Sequence, residues 1–116
     1  MAQEFICDTS QEGDVFILRC QGYLDDQGGV TLLQTAEKIY QKGAQKIVIN
    51  FSATPVVNSP GLAALLQLAE TVVEERQGKL ALCGLNELTN SVFKMVGLLK
   101  LSRALPSEKE AIAALA

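Results

Sequence analysis

Histidine is absent from the 116-residue chain, which removes the side chain most often used as a general base at neutral pH. Without it neither a Ser-His-Asp nor a Cys-His arrangement can be assembled. The same absence argues against a zinc site, which as a rule takes four nitrogen or sulfur ligands. The sequence offers only three thiols, Cys7, Cys20 and Cys83, well apart in the chain. Their odd number and wide spacing argue against a disulfide framework, and their apolar surroundings make them read as small buried side chains. Long apolar runs are missing too. No stretch approaches the length of about 18 residues that a membrane span needs, and Met1–Ile6 lacks the basic flank and apolar core of a signal peptide. A protein that stays in the cytoplasm is therefore expected.

Basic residues are in slight deficit, 10 lysines and arginines against 13 acidic residues, for a net charge of −3. Both signs are scattered, so no phosphate-neutralising face for nucleic acid is expected. Phosphate-binding loops are equally lacking: Gly78-Lys79 has no upstream glycine at P-loop spacing and precedes a strand pattern, and no Gly-x-Gly-x-x-Gly run follows any strand. The carboxylate pairs Asp25-Asp26 and Glu74-Glu75 are adjacent in sequence, so their side chains diverge and make poor acid–base partners. Neither an enzyme nor a cofactor site is expected.

What the chain does have is 48% hydrophobic residues, enough for one core at this length, with no repeat or linker dividing residues 1–116. Glu4–Asp8 and Val15–Cys20, separated by the polar turn Gln11–Asp14, read as a hairpin. From about Gly29 to Gln41 the residues Leu32, Leu33, Ala36, Ile39 and Tyr40 recur at helical spacing, with Gly43 as a stop. Lys46–Phe51 is β-branched and almost wholly apolar, the pattern of a central strand covered on both faces. In the next helix Ser59 reads as the cap, Pro60 as the first residue, and Leu62, Leu65, Leu66, Ala69, Val72 and Val73 as the inward stripe. Lys79–Cys83 is a further strand. Asn86–Val96 reads as a shorter helix closed by Gly97, with Phe93 and Met95 as core or interface packing. Leu98–Leu101 reads as a last strand, and Ser107–Glu110 as a capping box before a terminal helix. Strands alternating with helices after a hairpin predict an α/β domain: a mixed sheet of four to five strands with about four helices packed on it.

Three segments in this order resemble the STAS domain of anti-sigma-factor antagonists: Gly22-Tyr23-Leu24-Asp25, Lys46–Phe51, and Val57-Asn58-Ser59-Pro60-Gly61-Leu62. The similarity continues through Gly78–Cys83 and Val92–Leu98, so it spans nearly the whole chain. The resemblance implies a bacterial regulator that works by partner switching. Unmodified, such a protein binds an anti-sigma factor that is itself a serine kinase, and so frees the sigma factor. Phosphorylation breaks the complex and a phosphatase restores it. The resemblance places phosphorylation at Ser59 and partner contacts at Asp25, Asn58, Ser59, Pro60, Gly61 and Leu62.

The loop departs from the family pattern at three places. Asn58 stands where the family has aspartate, Pro60 replaces a second hydroxyl residue, and Ala63 replaces a glycine. A phosphate on Ser59 is expected to lie near the Gly61 and Leu62 N–H groups. An alternative carried by the same resemblance is a subunit that constitutively stabilises an ATPase of a phospholipid-trafficking transporter. From its residues alone, Ser59 is an ordinary helix cap and Asp25 a solvated turn residue. Self-association is left open.

Overall fold

Two antiparallel strands open the chain. In the computed structural model, which describes residues 4–116, β1 (Ile6–Glu12) and β2 (Val15–Gln21) pair from Ile6 opposite Gln21 to Glu12 opposite Val15. The hairpin is tighter than the sequence suggests. Only Gly13 and Asp14 lie between the strands, and Gly13 takes φ +62°, a backbone angle that glycine adopts without strain. The reading of Met1–Gln3 as part of a leaderless N-terminus falls outside the described residues.

The remaining strands, β3 (Lys46–Ala53), β4 (Lys79–Cys83) and β5 (Arg103–Leu105), join in parallel, and the spatial order β1-β2-β3-β4-β5 follows the chain. Right-handed crossovers between strands in that order put every connecting helix on one face. The core agrees. Phe16, Leu18, Cys20, Ile47, Ile49, Phe51, Leu80 and Leu82 point into one large cluster with α1 (Asp26–Gln41), α2 (Ser59–Glu70), α3 (Glu87–Met95) and α4 (Leu98–Leu101). Alternate residues, Val15, Ile17, Val48, Ala81 and Cys83, face a smaller cluster closed by Ala111 and Leu115 of α5 (Glu108–Leu115). This period-2 division explains why Lys46–Phe51 lacks the polar alternation of a half-exposed strand.

Four expectations need correction. The first helix begins at Asp26, three residues before Gly29, with Asp25 as its cap. Gly28 and Gly29 depress helix propensity and so mask the start, but both are packing positions. A Cβ at Gly28 would lie 2.9 Å from Phe5 Cβ, and one at Gly29 2.9 Å from Ala64 Cβ. Leu98–Leu101 is a helical turn, and the last strand is Arg103–Leu105; a four-residue apolar run carries no periodicity that separates the two. Met95 is 82% exposed, which corrects the core half of its reading as core or interface packing, whereas Phe93 is fully buried and meets Phe51 edge to face, with ring centroids 5.3 Å apart. Cys20 and Cys83 are buried as expected, but Cys7 is only half-buried.

Ser107 caps α5 by accepting a hydrogen bond from the Glu110 N–H at 3.2 Å. Glu108, in the first turn, joins α5 to the sheet. Arg19 donates to both its oxygens at 2.9 Å, and Asn50 donates at 3.1 Å. The Arg19 hydrogen bonds hold the Glu108 carboxyl below its ordinary 4.5, with Asn50 adding to the effect and partial burial opposing it. A carboxyl lowered in the folded state adds stability that is complete above its unfolded value and lost as pH falls through the folded value. Urea unfolding should therefore show Glu108→Gln less stable than wild type at neutral pH, with the difference shrinking as pH drops from about 6 to about 3.

Candidate functional site

Past the ends of β2 and β3 the chain continues as two extended segments that stay paired. The Gly22 N–H donates to Ala53 O at 2.9 Å, Leu24 N–H to Val56 O at 3.1 Å, and Asn58 N–H to Leu24 O at 3.1 Å. Leu24 and Val57 form a parallel bridge. Each segment runs directly into a helix, so the N-termini of α1 and α2 emerge side by side. Gly61 permits this closeness, since a Cβ there would stand 2.1 Å from Leu24 O.

Both helix starts are capped by the residue just ahead of them. Asp25 Oδ1 accepts the Gly28 N–H at 2.8 Å, and Asn58 Oδ1 accepts the Gly61 N–H at 2.9 Å. The expected cap at Ser59 is thus corrected. Asn58 has the extended backbone of a cap, φ −103° and ψ 178°, while Ser59 and Pro60 are the first two helical residues. Asparagine and serine cap about equally well, and the longer amide side chain reaches the Gly61 N–H.

Moving the cap back by one residue changes what Ser59 can do. Its side chain is exposed, and among the described residues its hydroxyl has no hydrogen-bond partner. The N–H groups expected to receive a phosphate are already used: Gly61 donates to Asn58 Oδ1, and Leu62 donates to Asn58 O at 2.8 Å. Pro60 has none to offer.

The sequence-predicted residues fall into two roles. Asp25, Asn58 and Gly61 build the site: two cap helices and one allows the close approach. Ser59 and Pro60 are exposed on its surface, with Leu62 half-buried beside them. Beyond them lies a shallow groove of about 260 Å³ between α1 and α2, lined by Asp26, Gly29, Val30, Leu33, Pro60, Ala63, Ala64 and Gln67. Val30, in that lining, is an exposed apolar residue. Sequence reasoning did not assign Asp26, Val30 and Leu33 to the site: Asp26 lay ahead of the expected helix start, and Val30 and Leu33, inside that helix, carry no local sign of which face meets α2. The Asp25-to-Gly28 spacing was the available signal. Among the described residues no group of histidine, cysteine, aspartate and glutamate side chains is arranged to hold a metal ion.

A family model for the STAS domain matches residues 7–111. Among solved structures, the chain is similar to an anti-sigma factor antagonist from Mycobacterium paratuberculosis, with TM-score 0.84 and 20% identity over 97% of this chain and 94% of that one. It is also similar to the Bacillus cell fate determinant SpoIIAA in its phosphorylated form, with TM-score 0.75 and 20% identity over 96% of this chain and all of that one (100%). A sulfate transporter family protein from Wolinella succinogenes matches with TM-score 0.78 and 18% identity over 90% and 86% of the two chains. At these identities the likeness is one of fold.

The division of roles is testable by thermal or denaturant unfolding. Asn58→Ala should cost about 1 kcal/mol through the lost cap. Gly61→Ala should cost about 3 kcal/mol, because backbone must move to admit the methyl group. Ser59→Ala should stay within about 0.5 kcal/mol of wild type, whereas a loss as large as that of Asn58→Ala would return the cap to Ser59.

Proposed function

Because the chain belongs to the STAS-domain family, we propose that it is a non-catalytic anti-sigma-factor antagonist, regulating transcription by binding a serine-kinase anti-sigma factor while Ser59 is unphosphorylated. The partner-binding face is built by Asp25, Asn58 and Gly61 and presents Ser59, Pro60 and Leu62, extended by the groove between α1 and α2. One observation carries this reading: Ser59 is exposed next to Pro60, which lines the groove, its hydroxyl has no hydrogen-bond partner among the described residues, and neither helix uses it as a cap. A modifying enzyme can reach such a hydroxyl without unfolding the domain.

The switch follows from charge. Phosphorylation adds about −1.5 to −2 charge at neutral pH. Among the described residues no lysine or arginine lines the groove, and Asp26 already supplies a negative charge there. With the Gly61 and Leu62 N–H groups committed to Asn58, the phosphate gains little from its own helix and stays at the surface. A partner closing over it must desolvate that charge, and an interface without a matching cation is weakened by several kcal/mol (about 2–5 for an unpaired buried charge). A phosphatase reverses the state without refolding.

The same committed N–H groups favour a second reading, in which the loop is never modified and makes a constitutive contact with the ATPase of a phospholipid-trafficking transporter. Copurification separates the two, since one partner is a kinase-fold anti-sigma factor and the other a membrane-associated ATPase.

For the kinase-type partner, Ser59→Ala should bind with wild-type affinity and Ser59→Asp at least about tenfold more weakly, a difference of about 1.4 kcal/mol. Titration calorimetry measures both, and equal affinities would refute the switch.

A further inference from the structure

Cys7 and Cys20 are thirteen positions apart in sequence, yet the hairpin sets them directly opposite each other on β1 and β2, with their sulfurs 3.8 Å apart. Residues opposite one another on antiparallel strands have Cα atoms about 4.5–5.5 Å apart, inside the range of about 4.4–6.8 Å that a disulfide bridges. Side-chain rotation alone can therefore close the remaining gap between the sulfurs. The two positions are unequal: Cys7 is half-buried and Cys20 is buried. Cys83 is buried on the other face of the sheet, in the smaller cluster closed by α5, whereas Cys7 and Cys20 pack in the large one.

We propose that Cys7 and Cys20 form a redox-responsive pair that a hydroperoxide converts to an intramolecular disulfide, with Cys7 as the attacking sulfur and Cys20 as the resolving one. The Cys7 thiolate attacks one peroxide oxygen and the O–O bond breaks. Cys7 becomes a sulfenic acid, and the other oxygen leaves as alkoxide or hydroxide and takes up a proton. Cys20 sulfur then attacks the Cys7 sulfur, an S–S bond forms, and the sulfenic hydroxyl leaves as water with the Cys20 proton. Two thiols and one hydroperoxide give one disulfide, one alcohol (or water) and one water, with two electrons passing from sulfur to oxygen.

Two local features suit this order of events. The hydrogen bond between the two sulfurs lowers Cys7 from its ordinary thiol value, with Thr35 acting in the same direction and burial and Asp8 opposing. Cys20 is pushed up by that same hydrogen bond and by burial, so the reactive thiolate is the sulfur that solvent reaches. Cys83 is pushed up by burial to about 11 and stays a thiol.

The test is to treat the full-length reduced protein with hydrogen peroxide, then measure intact mass and map peptides without reduction. The expected result is a loss of about 2 Da, a Cys7–Cys20 linked peptide, an alkylatable Cys83, and full reversal by dithiothreitol. In Cys20→Ser the same treatment should leave a sulfenic acid on Cys7 that a dione probe traps. The wild-type mapping decides the matter even if that variant folds poorly. Persistence of three free thiols, a bridge through Cys83, a bridge between molecules, or direct passage of Cys7 to sulfinic acid would each overturn the proposal.

Discussion

Leu24 O lies where a Cβ of any residue other than glycine at position 61 would have to go, and the candidate site depends on that contact. It brings the first turn of α2 against the extended segment ahead of α1. The hydrogen bonds from Leu24 to Val56 and from Asn58 to Leu24 then fix the two segments in register. Side by side, the helices pack closely enough to bring Gly29 against Ala64, and the shallow groove forms along that line. Loops between secondary-structure elements are ordinarily the most mobile part of a fold. Here the loop is backbone-paired, which lets an exposed serine be presented at a defined place.

Much of this was legible because it rests on local chemistry. The β-branched run Lys46–Phe51 announced a strand covered on both faces, and Ser59-Pro60 announced a helix start to within one residue. What escaped detection depends on contacts between segments distant in sequence. Gly28 read as lying ahead of the first helix and Gly29 only as its approximate start, because their reason for being glycine is Phe5 in one case and Ala64 in the other. Cys7 and Cys20 read as unrelated because only the hairpin register, set by the two-residue turn Gly13-Asp14, makes them neighbours. Asn58 and Ser59 are both good caps, and nothing in the two residue types favours the earlier one. The site residues were named through the family resemblance; their individual roles became visible only with the backbone pairing.

The departures from the family loop acquire a physical meaning in this setting. Asn58 retains a side-chain oxygen in the capping position but brings no negative charge beside Ser59. Pro60 occupies a helical position whose N–H has no intrahelical partner in any case, so the fold loses nothing by it. Together they leave Ser59 with a helix start that is structurally complete before any modification. Phosphorylation on such a base changes the charge of a surface without rearranging what lies beneath it.

Intact-mass analysis and site mapping of the protein from its native cells, with and without phosphatase treatment, test the central claim most directly. The account predicts a phosphate on Ser59 that phosphatase removes. Ser59 unmodified under every growth condition would contradict the switch and leave the same face as a constitutive contact.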